Sequence, residues 1–179
     1  MTRLFAALAL PPALRTTLAL LKSGLPGARW IGPEELHLTL RFIGEVDGHG
    51  EADVASALQM VRAKSFAVSL EGIGQFGDKK PHALWAGVKP VEPLLRLVAK
   101  IEQMLQRTGL PAETRRYTPH VTLARLRDTP PSRVALYIAE NNLFRAEPFT
   151  ATEFVLYSSH LGRQGAHYRL EATFPLDPA

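Results

Sequence analysis

The sequence predicts an α+β fold of two pseudo-symmetric lobes around one central cleft, and three observations predict it. Segments of about 7 to 18 residues with strand or helix periodicity alternate along the chain. Short turns rich in proline and glycine separate them, at Pro11-Pro12, residues 24–27, Gly32-Pro33, residues 48–50, residues 90–93 and Pro130-Pro131. The chain also slides onto itself. His37-Leu38-Thr39-Leu40 lies over His120-Val121-Thr122-Leu123 at an offset of 83, as does Phe66 over Phe149. Gly24-Leu25-Pro26 lies over Gly109-Leu110-Pro111 at 85, as does His82 over His167. Finally, 46% apolar and 21% charged residues in a 179-residue chain describe one ordinary globular core rather than a disordered tail. A single bilobal domain over residues 1–179 follows, with an internal repeat of roughly 3–88 and 82–174.

Each element has a local reason. Residues 4–10 are a short apolar run stopped by two prolines, which is a buried strand. Leu14, Leu18 and Leu21 recur at i, i+4 and i+7 through residues 12–23, an amphipathic helix ended by Gly24. Residues 37–43 read as a strand, and 52–63 as a helix through Val54, Leu58 and Val61. Phe66, Val68 and Leu70 alternate as in a strand, and residues 82–88 form another at the seam of the repeat. Residues 93–108 carry Leu94, Leu97, Val98, Ile101, Met104 and Leu105 on one face and stop at Gly109, a clear helix. Strands follow at 117–126, 149–157 and 167–174, with a helix at 133–141.

Composition excludes several functions. No cysteine is present, so disulfide frameworks, thiolate nucleophiles and Cys-ligated zinc are ruled out. No apolar run reaches the roughly 18 residues of a membrane helix. One arginine precedes a short apolar N-terminal stretch that meets prolines at once, which suits a strand better than a signal peptide. A cytoplasmic protein is expected, monomeric by default. The net charge is +4, and fifteen of the 21 basic residues are arginine. Arginine's planar fork fits phosphate in a bidentate way, so the balance permits a nucleic-acid partner without requiring one.

The chemistry lies in the motif His-apolar-Thr-apolar, present twice. Side chains alternate along a strand, so His37 and Thr39 share one face while Leu38 and Leu40 share the other. His120 and Thr122 repeat this against Val121 and Leu123. Two imidazoles facing one cleft suit a reaction that takes a proton from one oxygen and gives a proton to another. Phosphodiester hydrolysis is such a reaction, with threonine hydroxyls to hold the non-bridging oxygens. In-line displacement puts base and acid on opposite sides of phosphorus, as a two-fold cleft does. A metal site is a poorer account: the motifs offer two imidazoles, no Asp or Glu, and threonines, which are weak zinc ligands.

With these motifs the sequence resembles the 2H phosphoesterase superfamily, and within it the RNA 2',3'-cyclic phosphodiesterases, also called 2'-5' RNA ligase-like or LigT-like proteins. The resemblance runs through Arg3-Leu4-Phe5-Ala6-Ala7-Leu8, then the block His37-Leu38-Thr39-Leu40-Arg41-Phe42-Ile43-Gly44. It continues in Leu84-Trp85-Ala86-Gly87-Val88, Pro119-His120-Val121-Thr122-Leu123-Ala124-Arg125 and Phe154-Val155-Leu156-Tyr157-Ser158. It implies lobes that are each an antiparallel β-sheet with helices packed outside. It further implies opening of a terminal 2',3'-cyclic phosphate on RNA, such as a tRNA half or an RNA fragment, to a 2'-phosphomonoester. A weak ATP-independent 2'-5' joining of RNA is also implied, with no metal or nucleotide cofactor. By family precedent His37 donates the proton to the leaving 3' oxygen and His120 activates water, while the near-symmetric residues themselves leave the two roles open. Thr39, Thr122 and Arg125 are implied phosphate contacts.

Arg125 stands five positions after His120, an odd offset that needs a bulge between Thr122 and Arg125 to turn it inward. Arg41 has the right parity and stands open as an RNA contact. Phe5, Phe42 and Tyr157 are candidates to line a nucleotide pocket. Trp30 and Trp85 read as packing residues, His49 and His160 as bystanders, His82 and His167 as rim contacts or surface histidines, and Lys79-Lys80 and Arg115-Arg116 as RNA-backbone contacts or solvated turns. Two other readings remain open. One is an RNA-end-binding module without turnover; the other is a phosphodiesterase for another cyclic phosphate or a 2'-5'-linked oligonucleotide.

Overall fold

The computed structural model describes residues 1–163 and 165–179. Ten strands and four helices follow one another in it. They are β1 (Thr2–Ala9), α1 (Pro12–Ala19), β2 (Ala28–Trp30), β3 (His37–Val46), α2 (Gly48–Gln59), β4 (Phe66–Val68), β5 (Leu70–Phe76), β6 (Ala83–Val88) and α3 (Glu92–Gln106). Then come β7 (His120–Leu126), α4 (Pro131–Asn141), β8 (Phe149–Ala151), β9 (Glu153–Gly162) and β10 (Gly165–Pro175). A single 3-10 turn, Pro33–Glu35, leads into β3.

Several boundaries depart from the sequence reading for local reasons. The helix expected at 52–63 begins at Gly48, because the Asp47 carboxylate accepts a hydrogen bond from the Gly50 amide at 2.8 Å and caps it. The glycines at 48 and 50, and His49 between them, therefore lie in a first helical turn rather than a loop. The strand expected from 117 begins only at His120, since Pro119 has no amide to offer a ladder. The stretch 149–157 is two strands. β2 is short, and β5 carries Gly72 and Gly74, which weaken a strand pattern, so neither was legible beforehand.

Seven strands run in the order β10-β9-β1-β3-β7-β6-β5, all neighbours antiparallel, with β2 beside the end of β7. The halves β10-β9-β1-β3 and β2-β7-β6-β5 are lobe A and lobe B. They meet along β3 and β7 through one residue pair, Leu38 with Val121. A separate two-stranded sheet joins β4 to β8, with Ala67 opposite Thr150. Both pairs are 83 residues apart, the spacing of the two histidine motifs. The lobes are not the sequence halves. β9 and β10, late in the chain, flank β1; β5 and β6, early in the chain, flank β7.

Helices α2 and α3 back lobe A, while α1 and α4 cover lobe B, where Trp30 lies 5.9 Å from Tyr137. The main core sits between sheet and helices, with α3 contributing Leu94, Leu97, Ile101 and Leu105, all fully buried. Trp30 packs against this core, its indole N–H donating to the Ser23 carbonyl at 3.1 Å. A smaller cluster of Phe5, Ala7 and Val155, with Tyr157 and Tyr168, lies on the opposite face of lobe A. Because helices cover only one face, the other is left free to line the cleft. No helix among the described residues is long and apolar enough to cross a membrane.

Candidate active site

The central strands deliver both motifs to that free face. On β3, Leu38 and Leu40 are buried in the core while His37 and Thr39 are half-buried on the cleft side. On β7, Val121 and Leu123 are buried while His120 and Thr122 face the cleft. In both strands the bulge falls at the leucine that closes the motif. The β1–β3 register passes from Thr39 to Arg41, skipping Leu40, and the β6–β7 register passes from Thr122 to Ala124, skipping Leu123. A bulge reverses the side-chain parity beyond it. Arg125 therefore shares the face of His120 and Thr122, with Leu123 and Ala124 both buried before it. By the same device Phe42, five residues after His37, turns to the cleft and stands 5.8 Å from Phe5.

That bulge overturns the parity reading of Arg41. Its guanidinium points to the helix side, where it is bound by Glu102 of α3 and donates to the Pro111 carbonyl at 2.8 Å. It braces the cleft from behind and does not enter it.

The two imidazoles are held alike. His37 Nδ1 lies 2.7 Å from the Glu35 carbonyl, and His120 Nδ1 lies 2.6 Å from the Thr118 carbonyl. A carbonyl only accepts, so each Nδ1 carries hydrogen and each neutral ring keeps its lone pair on Nε2. His37 Nε2 sits 3.0 Å from the Thr39 hydroxyl, which donates to it when the ring is neutral. The Tyr117 hydroxyl donates to the Thr39 carbonyl at 2.9 Å, tying the approach to the second motif onto the first.

Surroundings differ. His37 packs against Phe5 (4.8 Å between ring centres), Tyr168 (5.0 Å, edge-on) and Tyr157 (6.3 Å). Burial pushes its pKa down to about 4, with the Arg125 and His120 charges acting the same way and the Glu35 carbonyl opposing. His120 meets Phe76 edge-on at 4.8 Å and Trp85 at 6.2 Å. Its pKa is also lowered, first by burial and then by Arg125, against the pull of the Thr118 carbonyl. Trp85 lies flat over β5, where a side chain on Gly74 would stand 2.3 Å from its ring. It is thus half packing residue and half cleft wall.

Phe5 and Tyr157 gather around His37, and Phe42 packs beyond them on Phe5. Phe76 and Tyr168 join the site without any sequence signal, since only cross-strand pairing brings them there. His82 stacks on Phe76 at 6.3 Å, and His167 pairs with Glu35 at 3.1 Å. His160 has a partner the sequence did not suggest, the Ser158 hydroxyl at 2.8 Å on the helix-facing side. Arg115 is occupied by Glu113, while Arg116, Lys79 and Lys80 are exposed. Among the described residues no three His, Asp or Glu side chains gather as a metal-binding group.

One imidazole on each of β3 and β7, each with a threonine two residues on along the same face and with the Arg125 charge acting on both, is a set of groups able to do acid–base chemistry on an anionic substrate. The chain belongs to the 2'-5' RNA ligase superfamily, whose family model matches residues 10–163. It is 32% identical over 154 residues to an RNA 2',3'-cyclic phosphodiesterase of Thermotoga maritima, covering 84% of this chain and 80% of the relative. The fold matches the crystal structure of Escherichia coli LigT complexed with 3'-AMP, with a TM-score of 0.80, 26% identity and 98% of both chains covered. A crystal structure of a Thermus thermophilus protein matches with a TM-score of 0.82 at 25% identity, again over 98% of both chains.

Proposed function

We propose that this protein is an RNA 2',3'-cyclic phosphodiesterase that opens a terminal cyclic phosphate to a 2'-phosphomonoester by two-histidine acid–base catalysis. The observation that carries the reading is the pair of matched imidazoles, each with Nδ1–H locked on a carbonyl and Nε2 turned to the shared cleft beside Arg125. The names of the curated relatives support the same reaction.

The cyclic phosphate lies between the rings, its non-bridging oxygens on the Thr39 and Thr122 hydroxyls and the Arg125 guanidinium. Water attacks phosphorus as His120 Nε2 takes its proton. The P–O3' bond breaks as His37 gives the proton on Nε2 to the 3' oxygen. The proton gained by one ring then returns to the other through solvent. The bound anion offsets the Arg125 charge and raises both depressed pKa values, which restores a proton to the acid. A 5'-hydroxyl in place of the water gives 2'-5' joining without ATP. The residues supply acid, base and charge between them, so the reaction needs no metal or nucleotide cofactor. The reading takes the chain as one bilobal domain of two interlocked repeats, acting as a cytoplasmic monomer on tRNA halves or RNA fragments.

The test is a short RNA ending in a 2',3'-cyclic phosphate, incubated in excess chelator with the protein and its His37→Ala and His120→Ala variants. A 2'-phosphate product, lost in both variants, is expected. Tight binding without turnover would replace the reading with an RNA-end-binding module. Turnover lost on chelation would replace the two-histidine mechanism with a metal one.

A further inference from the structure

The pairing of β2 with β7 sets Arg29 directly opposite Arg125. Residues opposite one another in an antiparallel pair share a face, with Cβ atoms about 5 Å apart, and like charges placed so repel. Both arginines are exposed, and among the described residues neither forms an ion pair with a carboxylate. Arg29 leans across the cleft mouth: its guanidinium atoms lie 3.7–3.9 Å from the position of a Cβ at Gly165, in the β9–β10 hairpin of lobe A. Its charge and that of Arg125 both act on Tyr168, whose ring stands edge-on to His37 at 5.0 Å. The nearby carboxylate, Glu35, also acts on Tyr168 but is held by His167 at 3.1 Å.

An uncompensated cross-strand pair of cations costs stability in the free protein and is relieved by anions. One phosphate, the reacting one, answers Arg125. Arg29 stands one strand further out than Arg125, with its guanidinium turned to Gly165 of the opposite lobe. On an RNA end the next anion is the phosphodiester that joins the terminal nucleotide to its neighbour. We propose that Arg29 is a second phosphate subsite that binds this linkage, so that the cleft selects an oligonucleotide end over a cyclic mononucleotide. The inference rests on the phosphodiesterase reading above and names its substrate class.

The experiment compares a nucleoside 2',3'-cyclic monophosphate with a short RNA bearing the same cyclic end, using the unsubstituted protein, Arg29→Gln and Arg29→Lys. For Arg29→Gln the loss of kcat/KM on the oligonucleotide is expected to exceed that on the mononucleotide by about tenfold, carried in KM, with Arg29→Lys in between. The salt dependence of oligonucleotide binding should lose about 0.7 from its logarithmic slope, the share of one single-strand phosphate contact. Equal losses on both substrates, or no loss on either, overturn the subsite. Failure of the unsubstituted protein to turn over either substrate overturns the phosphodiesterase reading itself, and is seen before any variant is made.

Discussion

In lobe A the residue five positions after the motif histidine is Phe42; in lobe B it is Arg125. The backbone beneath them is the same, an antiparallel strand with a bulge at the motif's last leucine. The same bulge aims an aromatic ring into one side of the cleft and a cation into the other. Around His37 gather Phe5, Tyr157 and Tyr168, a wall that sheds water and drives the imidazole's pKa down to about 4. Around His120 stand Phe76 and Trp85, with Arg125 on its own strand and Arg29 one strand further out. Two like-built strands thus hold the imidazoles on matching backbone, while the side chains give each half a different environment.

The sharpest way to break that comparison is to remove each imidazole in turn. His37→Ala and His120→Ala should each slow hydrolysis of the cyclic end by about 10²–10⁴-fold, measured by product formation under single-turnover conditions. A substrate with sulfur in the 3' bridging position has a leaving group that needs no proton. It should rescue His37→Ala and not His120→Ala, and rescue of the other variant would reverse the acid and base roles.

Next in size is the cation. Arg125→Gln should cost about 10- to 100-fold in kcat/KM. It should also raise the pKa of both histidines, because its charge lowers both, as NMR titration would show. Phe5→Leu should raise only that of His37, since Phe5 helps to bury that ring alone.

The pH dependence of stability follows from the same asymmetry. His37 holds its proton less well folded than unfolded, so between pH about 6.5 and about 4 the unfolded chain binds more protons. Stability should therefore fall as pH falls through that window, by on the order of 1–3 kcal/mol, and His37→Gln should abolish this part of the slope in urea titrations. The smallest effect expected is that of Tyr117→Phe. Loss of its bond to the Thr39 carbonyl should cost about 1 kcal/mol in urea unfolding, with a modest fall in kcat.

Much of this arrangement was legible in one dimension. Alternation in His37-Leu38-Thr39-Leu40 and its copy at His120 decided which side chains face the core, because a strand has a period of two wherever its ladder is regular. The apolar face of residues 93–108 likewise announced α3. The same rule misplaced Arg41, since a bulge is an irregularity of pairing that the strand's own residues do not announce. β2 escaped notice because three residues carry too little periodicity. Asp47 moved the start of α2 because one cap outweighs two glycines.

The sequence by itself determined two strands of like pattern and which of their side chains face the core, because alternation is a local property of the chain. Which strands lie beside which was decided only in three dimensions. The late strands β9 and β10 supply Tyr157 and Tyr168 to His37, and the early strands β5 and β6 supply Phe76 and Trp85 to His120. The electrostatic difference between the histidines arises there, since burial and charge depend on neighbours brought together across the sheet, far apart along the chain.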